Sequence, residues 1–451
     1  MNSVAHALKH NTRLKKISLS YIVSALARGS GFLFTFTTTP ILLNYLGKDG
    51  FGLWSIFIQF FSFAAFSDFG LSNGLHNTLL KARHTENEAN NILLIQRTFL
   101  LLVCIALTIL VLTSGPIFLF DWISILNIKN SQLQSTLLAS IVTISLLFFL
   151  NVPIGIIQKV QFAYMDHHKV YSWEVFSKIL AIIMIFSAIN LKLSIPFLLA
   201  CFFLPIIIAN IFNILTYKKL RVWKISKQSL MIHNSQVLSV AQKGGLFFVM
   251  SIFYALGRTT DNFVIGSFGS LEQVTDYQIL ARLFDIPLLL VMMLSAIMWS
   301  AFAESIHKNE YKWVKKTMTQ AIYFILITMF CFLMAFQNFG ETLLSLWLGQ
   351  KTTINFSLLY SMAAWTTVGA ISNLLSSYLN ATDRLLFQIK VFAVYFIIAF
   401  PLKAFILKKV SLEAFVLAGT IAFFLILIIP SALIIYKDLK LNLTNKNASA
   451  L

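Results

Sequence analysis

The stretch LEAFVLAGTIAFFLILIIPSALIIY, residues 412–436, decides the class of fold to which this chain belongs. Its single charged side chain, Glu413, stands at its beginning. A helix needs about 20 apolar residues to cross a hydrocarbon core of about 30 Å, and this run exceeds that length. Because the strands of a membrane barrel alternate in hydropathy over about 10 residues, the run predicts a transmembrane helix.

Eleven further apolar segments precede this one, separated by charged or Pro/Gly-containing breaks. They lie at about 17–40, 52–72, 92–113, 133–156, 170–190, 193–216, 244–265, 279–302, 319–339, 354–379 and 386–407. The chain has 451 residues, of which 58% are hydrophobic and 12% charged, and soluble domains carry about 25% charged residues. This composition excludes a soluble globule, a disordered chain and a disulfide scaffold. We therefore predict an all-α polytopic membrane protein with twelve transmembrane helices.

The basic residues predict the orientation of these helices. If the N-terminus is cytoplasmic, the inner segments hold 23 Lys and Arg and the outer ones 7, a set that counts Lys403, Lys408 and Lys409. An excess of this size over short loops indicates that the richer side is cytoplasmic. Both termini are thus expected in the cytoplasm, with no cleaved signal peptide. The net charge of +18 is explained by orientation and does not indicate nucleic-acid binding.

The twelve segments divide into two sets of six at residues 217–243. We expect an N-lobe over 1–225 with helices 1–6 and a C-lobe over 226–451 with helices 7–12. A few residues after the first segment recur after the seventh at an offset of 222: Thr37, Thr38 and Gly47 match Thr259, Thr260 and Gly269. The identities are few, so the matched spacing carries most of the argument. Six plus six helices in the same orientation predict a parallel repeat around a central cavity.

The sequence gives no support for catalysis. It contains no G-x-x-x-x-G-K-[ST] phosphate loop, no H-E-x-x-H and no G-x-G-x-x-G after a strand, and its one G-x-S-x-G match, GLSNG at 70–74, follows no predicted strand. His167 and His168 beside Asp166 fit a solvated loop better than a metal site. We predict no enzyme, no catalytic residue, no metal and no cofactor. Without an ATP site, transport must run on an ion gradient or on the gradient of the substrate.

Charged residues inside the predicted helices are the candidate functional residues, because a charge at the bilayer centre costs about 2.5–3.5 kcal/mol on insertion scales. Arg28 lies about 16 Å into the first helix, and Arg258 occupies the matching place in the seventh. Guanidinium groups bind phosphate bidentately and stay charged. We predict that both bind substrate; the alternatives are an interhelical salt bridge for Arg28 and a local pair of Arg258 with Asp261. Asp261 is then either a counter-ion or a cation site.

Two more charged residues are candidates. Asp68, near the inner end of the second helix, either caps or locks the inner gate, or takes part in ion coupling, or anchors that end through hydrogen bonds to loop amides. Lys178, in the fifth helix, either contacts substrate or is neutralised by Glu174 at the i,i+4 position.

Three stretches resemble the O-antigen and polysaccharide flippases of the Wzx type. They are PILLNYLGKDGFGLW at 40–54, FGLSNGL at 69–75 with Asp68 before it, and GRTTDNFVIG at 257–266. Together with the twelve-helix plan the resemblance covers the whole chain. These motifs indicate the multidrug/oligosaccharidyl-lipid/polysaccharide exporter superfamily more firmly than they indicate the substrate.

The resemblance implies two six-helix lobes around a cationic cavity and alternating access between them. It implies a flippase in the bacterial inner membrane that carries undecaprenyl-pyrophosphate-linked oligosaccharide from the cytoplasmic to the periplasmic leaflet. A proton or sodium counter-ion, and a polymerase and chain-length regulator of the same pathway, are the implied partners. In the related lipid II flippases, arginines of the first helix and of the start of the second lobe line the cavity, and Arg28 and Arg258 match those places.

Two alternatives remain. A cation-coupled multidrug exporter of the same fold would call for exposed carboxylates and aromatic rings in the cavity, whereas an anionic headgroup calls for arginine. A membrane glycosyltransferase or polymerase would typically carry a large extramembrane domain or a long outer loop, and the longest predicted outer loop has only roughly twenty residues.

Overall fold

The computed structural model of the chain is helical throughout the part that it describes. Within that part it contains α-helices, turns and a short π-helical segment, and no strand. The described residues are 2–62, 68, 70–82, 88–164, 166–217, 245, 248, 260–351 and 353–448, and the side chains of the first helix are described from Gly29 onward.

The helices have the length and the surface of membrane spans. Eight helical segments of 22 to 38 residues among the described residues are long and apolar enough to cross a bilayer. Large apolar side chains lie on their outer surface, for example Leu107, Val111 and Leu112, each more than half exposed. Contiguous apolar surface of this kind marks contact with lipid or with protein. The prediction of an all-α polytopic membrane protein is confirmed.

The first compact unit comprises Met1–Tyr45 and Phe57–Ser251. Its described helices are α1 (Asn2–Ser62, in part), α2 (Leu71–Ala82), α3 (Glu88–Leu119), α4 (Trp122–Ile125), α5 (Ser131–Ile154), α6 (Ile156–Ala163), α7 (His167–Asn190) and α8 (Ile195–Thr216). Helices α2, α3 and α6 share a core in which Leu75, Ile95, Ile156 and Val160 are fully buried.

The first two predicted helices have other bounds in the structure. Helix α1 continues through the predicted break at 41–51, with only a kink at Gly47, where φ is 69°. The described part of α1 reaches Ser62, the described residues Asp68 and Gly70 lie in a turn, and α2 begins at Leu71. Glycine adopts a positive φ without steric cost, so the chain changes direction at Gly47 without a loop. The predicted second helix over 52–72 is therefore wrong in its bounds.

The second compact unit comprises Leu46–Ile56 and Ile252–Leu451. Its described helices are α9 (Asp261–Phe268), α10 (Leu271–His307), α11 (Tyr311–Leu348), α12 (Phe356–Ala381), α13 (Leu385–Lys409), α14 (Leu412–Phe423), a π-helical segment (Phe424–Ile428) and α15 (Ile429–Ala448). Val314, Ile325 and Leu374 are fully buried in its core. The predicted lobe boundary between residues 225 and 226 lies outside the described residues and stays a prediction.

Residues 48–56 of helix α1 are tied into the second unit by hydrogen bonds. The hydroxyl of Thr275 donates to the carbonyl oxygen of Lys48 at 2.6 Å. The side-chain amide of Asn262 donates to the carbonyl oxygen of Ser55 at 3.2 Å. Gly52 lies between them, where a β-carbon would stand 2.1 Å from the carbonyl oxygen of Leu271. This backbone approach explains why glycine occupies position 52.

We predict that Gly52→Ala destabilises the protein, because the added methyl group meets backbone that cannot rotate away. Overpacking of this kind costs about 1–3 kcal/mol. The measurement is the thermal unfolding midpoint of the purified protein in detergent. Gly29→Ala is the matched control in the same helix, since a β-carbon there meets nothing within 4 Å. Equal midpoints for the two variants would contradict the predicted contact.

Candidate functional site

A cavity of about 360 Å³ lies inside the first unit. Helices α1, α6, α7 and α8 all contribute to its wall. The polar lining residues are Gln158, Glu174, Ser177, Lys178 and Asn210, and the apolar ones are Phe34, Trp173, Ala181, Phe202, Ile206 and Ala209. Small-molecule sites have volumes of about 300–1,000 Å³ and combine an apolar wall with a few polar groups. The cavity has both properties.

Lys178 is the cation of this cavity, and Glu174 is its partner. The Lys178 Nζ lies 2.6 Å from Glu174 Oε1, which confirms the predicted i,i+4 pair. The two side chains differ in exposure, at 19% for Lys178 and 40% for Glu174. Gly31 of α1 makes room for the ammonium, because a β-carbon there would lie 3.0 Å from Nζ. Lys178 is thus held in place, while its counter-ion is the more accessible of the two.

Two amide pairs join α6 to α8 at successive turns. In the deeper pair, Gln161 donates to Asn213 at 2.6 Å and Asn213 donates back to Gln161 at 3.0 Å. In the pair that lines the cavity, the Gln158 side chain donates to the Asn210 side chain at 3.4 Å, and this is the one hydrogen bond described between these two side chains. A side-chain amide has two donor hydrogens and an acceptor oxygen, so the outer pair keeps hydrogen-bonding capacity that the deeper pair has used.

The second unit contains a buried ion pair at the start of α9. Lys403 Nζ, on α13, donates to Asp261 Oδ1, and each of the two residues is 5% exposed. The hydroxyl of Tyr277 donates to Asp261 Oδ2 at 3.0 Å. Both carboxylate oxygens therefore have a partner, as a buried charge requires.

Lys403 is surrounded by groups that suit a desolvated cation. Its Nζ lies 4.5 Å from the centre of the Phe415 ring and 5.5 Å from that of Trp365, within the range of cation–π attraction. A β-carbon at Gly419 would stand 3.0 Å from Lys403 Cε, so the glycine leaves space for the lysine chain. The adjoining cavity measures only about 10 Å³, roughly the space of one water molecule.

The pair joins residues that are distant in sequence. Lys403 lies inside helix α13, six residues before its end at Lys409, about 9 Å along the axis. Asp261 and Lys403 are 142 positions apart, and the packing of α13 against α9 brings them together. The alternative of a local pair between Asp261 and Arg258 stays a prediction, because Arg258 lies outside the described residues.

The remaining predicted residues are only partly described. Arg28 lies on helix α1, with its side chain outside the described part, and Arg258 lies outside the described residues. Asp68 accepts hydrogen bonds from the backbone N–H of Gly70 at 2.9 Å and of Ser72 at 3.2 Å. These are the loop-amide bonds expected of an anchor. The roles of Asp68 in gating and of the two arginines in binding stay predictions.

Sequence reasoning missed Lys403 as a candidate and did not single out Gln158 or Asn210. Lys403 carried a usable signal, since it is a charge within the predicted helix over 386–407 and such charges are functional candidates. The amides carried none, because polar uncharged residues are common in membrane helices and their pairing depends on how α6 and α8 pack.

The comparison with protein families decides what kind of protein has this geometry. The model described as "Polysaccharide biosynthesis protein" matches residues 19–302, which is more than half of the chain. The chain belongs to this family. A relative from Yersinia pseudotuberculosis that is named as an O-antigen export protein is 24% identical over 323 residues, covering 67% of this chain and 70% of the relative.

Solved structures show the same fold at low sequence identity. An inward-facing multidrug resistance MATE transporter of the MOP superfamily aligns with a TM-score of 0.72 at 12% identity, covering 91% of this chain and 96% of its own. A MOP superfamily transporter from Pyrococcus furiosus aligns with a TM-score of 0.62 at 13% identity, covering 95% and 96%. The chain is therefore a member of the polysaccharide biosynthesis family, and its fold is similar to that of MOP superfamily transporters.

We predict that Asp261→Asn and Lys403→Met each destabilise the protein by about 3–5 kcal/mol, because each leaves one buried charge without its partner. Tyr277→Phe removes one hydrogen bond and costs about 1–3 kcal/mol. The double variant Asp261→Asn, Lys403→Met recovers most of the loss. Thermal unfolding in detergent measures all four. Additive losses in the double variant would contradict a direct pair.

Proposed function

We propose that this protein is a flippase for undecaprenyl-pyrophosphate-linked oligosaccharide, moving it from the cytoplasmic to the periplasmic leaflet of a bacterial inner membrane. Both termini are cytoplasmic in this proposal, in agreement with the excess of Lys and Arg on that side. The polyprenyl tail stays in lipid throughout. The charged headgroup must cross about 30 Å of hydrocarbon, which it cannot do without polar partners.

The cavity of the first unit is the observation that carries the proposal. An ammonium group at its wall, Lys178, has a carboxylate partner that is 40% exposed. A pyrophosphate can replace Glu174 as the counter-ion of Lys178, because both are anions that accept from the same donors. In the absence of cargo, Glu174 keeps Lys178 neutralised, so an empty cavity avoids an unpaired charge. The export protein to which the chain is similar supports an O-antigen or related polysaccharide unit as cargo.

Arg28 and Arg258 supply the remaining phosphate contacts in this proposal, one from each lobe, as the lobes alternate between the two sides. A polymerase and chain-length regulator of the same pathway then use the delivered units. Asp68 acts at the inner gate.

The Asp261–Lys403 pair is the element on which we propose that ion coupling acts. A proton or sodium ion that neutralises Asp261 would release Lys403, and the adjoining space fits nothing larger. A buried pair is weak evidence for stability alone, since an apolar replacement is often neutral. Its position inside a membrane helix therefore favours a role in transport.

The arginine contacts predict that the double variant Arg28→Ala, Arg258→Ala exports no polysaccharide. The measurement is surface polysaccharide in a strain that lacks the chromosomal gene and carries the variant at normal membrane abundance. Lys312→Ala, Lys315→Ala is the control, because it removes the same charge from exposed positions. Full export by the arginine double variant would remove the phosphate contacts from the proposal.

For ion coupling, we predict that the double variant Asp261→Asn, Lys403→Met folds but does not accumulate the lipid-linked substrate against the concentration gradient of that substrate. Counterflow in vesicles, with and without an imposed pH or sodium gradient, makes the measurement. Gradient-dependent transport equal to that of the unaltered protein would show that the pair has only a structural role.

A cation-coupled multidrug exporter is the second candidate, favoured by the aromatic lining and by Glu174 in the cavity. Lys178, at 2.6 Å from Glu174, counts against it, because the ammonium repels a cationic drug from the carboxylate that would attract it.

A further inference from the structure

We propose that the cavity of the first unit is a subsite for the sugar ring next to the pyrophosphate, with Trp173, Gln158 and Asn210 as the residues that bind it. This inference rests on the proposed function and specifies what part of the headgroup the cavity takes. The ring is an uncharged pyranose, a hexose or an N-acetylhexosamine, and Lys178 holds the adjacent phosphate.

The size of the cavity selects a small group. Its volume of about 360 Å³ lies near the lower limit of small-molecule sites, about 300 Å³. One or two pyranose rings fit this space, whereas a complete oligosaccharide repeat unit does not. The distal sugars therefore lie outside the cavity, and selectivity acts on the ring nearest the lipid.

The lining has the two kinds of group that a pyranose needs. The axial C–H groups of a pyranose form an apolar face, which packs against an aromatic ring, and its hydroxyls each donate and accept a hydrogen bond. Trp173 supplies the ring and is held by an edge-to-face contact with Phe176, with centroids 5.6 Å apart. Trp and Tyr combine a large apolar area with a polar edge. A bare pyrophosphate or a lipid chain would need no such surface.

The amide pair supplies groups for the hydroxyls. Gln158 and Asn210 share one hydrogen bond of 3.4 Å, at the long limit for such a bond. Ligand hydroxyls can bind their remaining donors and acceptors. One turn away, Gln161 and Asn213 use the same residue types to close two bonds of 2.6 and 3.0 Å. The buried amide pair thus forms two mutual hydrogen bonds, whereas the pair that lines the cavity forms one and keeps donors and acceptors for a ligand.

Glu174 adds an acceptor when phosphate displaces it from Lys178. The side chain is 40% exposed, so it can rotate toward a sugar hydroxyl without being pulled out of a packed core. The same exchange provides a partner for both parts of the ligand, because the phosphate binds the ammonium of Lys178 and a sugar hydroxyl binds the carboxylate of Glu174.

The test is equilibrium binding of two probes to the full-length protein in lipid nanodiscs. One probe is polyprenyl pyrophosphate without sugar, and the other carries a single glucose, galactose or N-acetylglucosamine. We expect at least one glycosylated probe to bind about tenfold more tightly than the bare one, from one ring contact and one or two hydrogen bonds. Trp173→Ala and Gln158→Leu should each reduce this preference severalfold, leaving the affinity for the bare probe unchanged.

Two variants serve as controls. Lys178→Ala should weaken the binding of both probes by the same factor, since Lys178 contacts the phosphate that the two probes share. Trp299→Ala should change neither, because Trp299 lies on the surface of the second unit at 52% exposure. Trp173→Phe should keep part of the preference, as an aromatic face remains.

The outcomes separate the two proposals. Equal binding of the bare and all glycosylated probes would overturn the sugar subsite and leave the flippase proposal standing. Loss of affinity for both probes in Trp173→Ala would also overturn it, since that pattern indicates a structural role. A protein that binds neither probe would contradict the flippase proposal itself.

Discussion

Taking a charge out of water into hydrocarbon is the constraint on which the rest of this structure depends. Lys178 and Lys403 both lie on helices that cross the apolar part of the molecule, and each has a carboxylate at its ammonium. Glycines stand beside both lysine chains, Gly31 at the first and Gly419 at the second. The helices are thus built to accommodate each cation with its counter-ion, because neither charge is tolerated there alone.

The two pairs satisfy this constraint in different ways, and the difference suggests different roles. Glu174 is accessible from a cavity large enough for a small ligand, so an anionic ligand can replace it. Asp261 is bonded to Lys403 and Tyr277 and is buried beside a space of about 10 Å³, which suits a proton, a small ion or a water molecule. We propose on this basis that the first unit binds the cargo and that the second responds to an ion.

The features that depend on local sequence pattern could be predicted, namely several helix spans and one ion pair. The apolar runs at 170–190, 193–216 and 354–379 match α7, α8 and α12 within three residues, because run length alone determines a membrane span. The Glu174–Lys178 pair followed from i,i+4 spacing. The Asp261–Lys403 pair did not, since its members are 142 residues apart and meet only through helix packing. The kink at Gly47, where a loop was predicted, could not be found either, because hydropathy does not report a single positive φ.

The proposed cargo is a lipid-linked oligosaccharide, and the profile of lipid-linked oligosaccharides in a strain lacking this gene tests it most directly. Mass spectrometry of extracted lipids, with a membrane-impermeant glycosidase to assign the leaflet, identifies the cargo and its side. We expect complete, unpolymerised repeat units to accumulate on the cytoplasmic leaflet and to disappear when the gene is restored. A normal profile, together with new sensitivity to cationic dyes, would contradict the proposal and indicate a drug exporter.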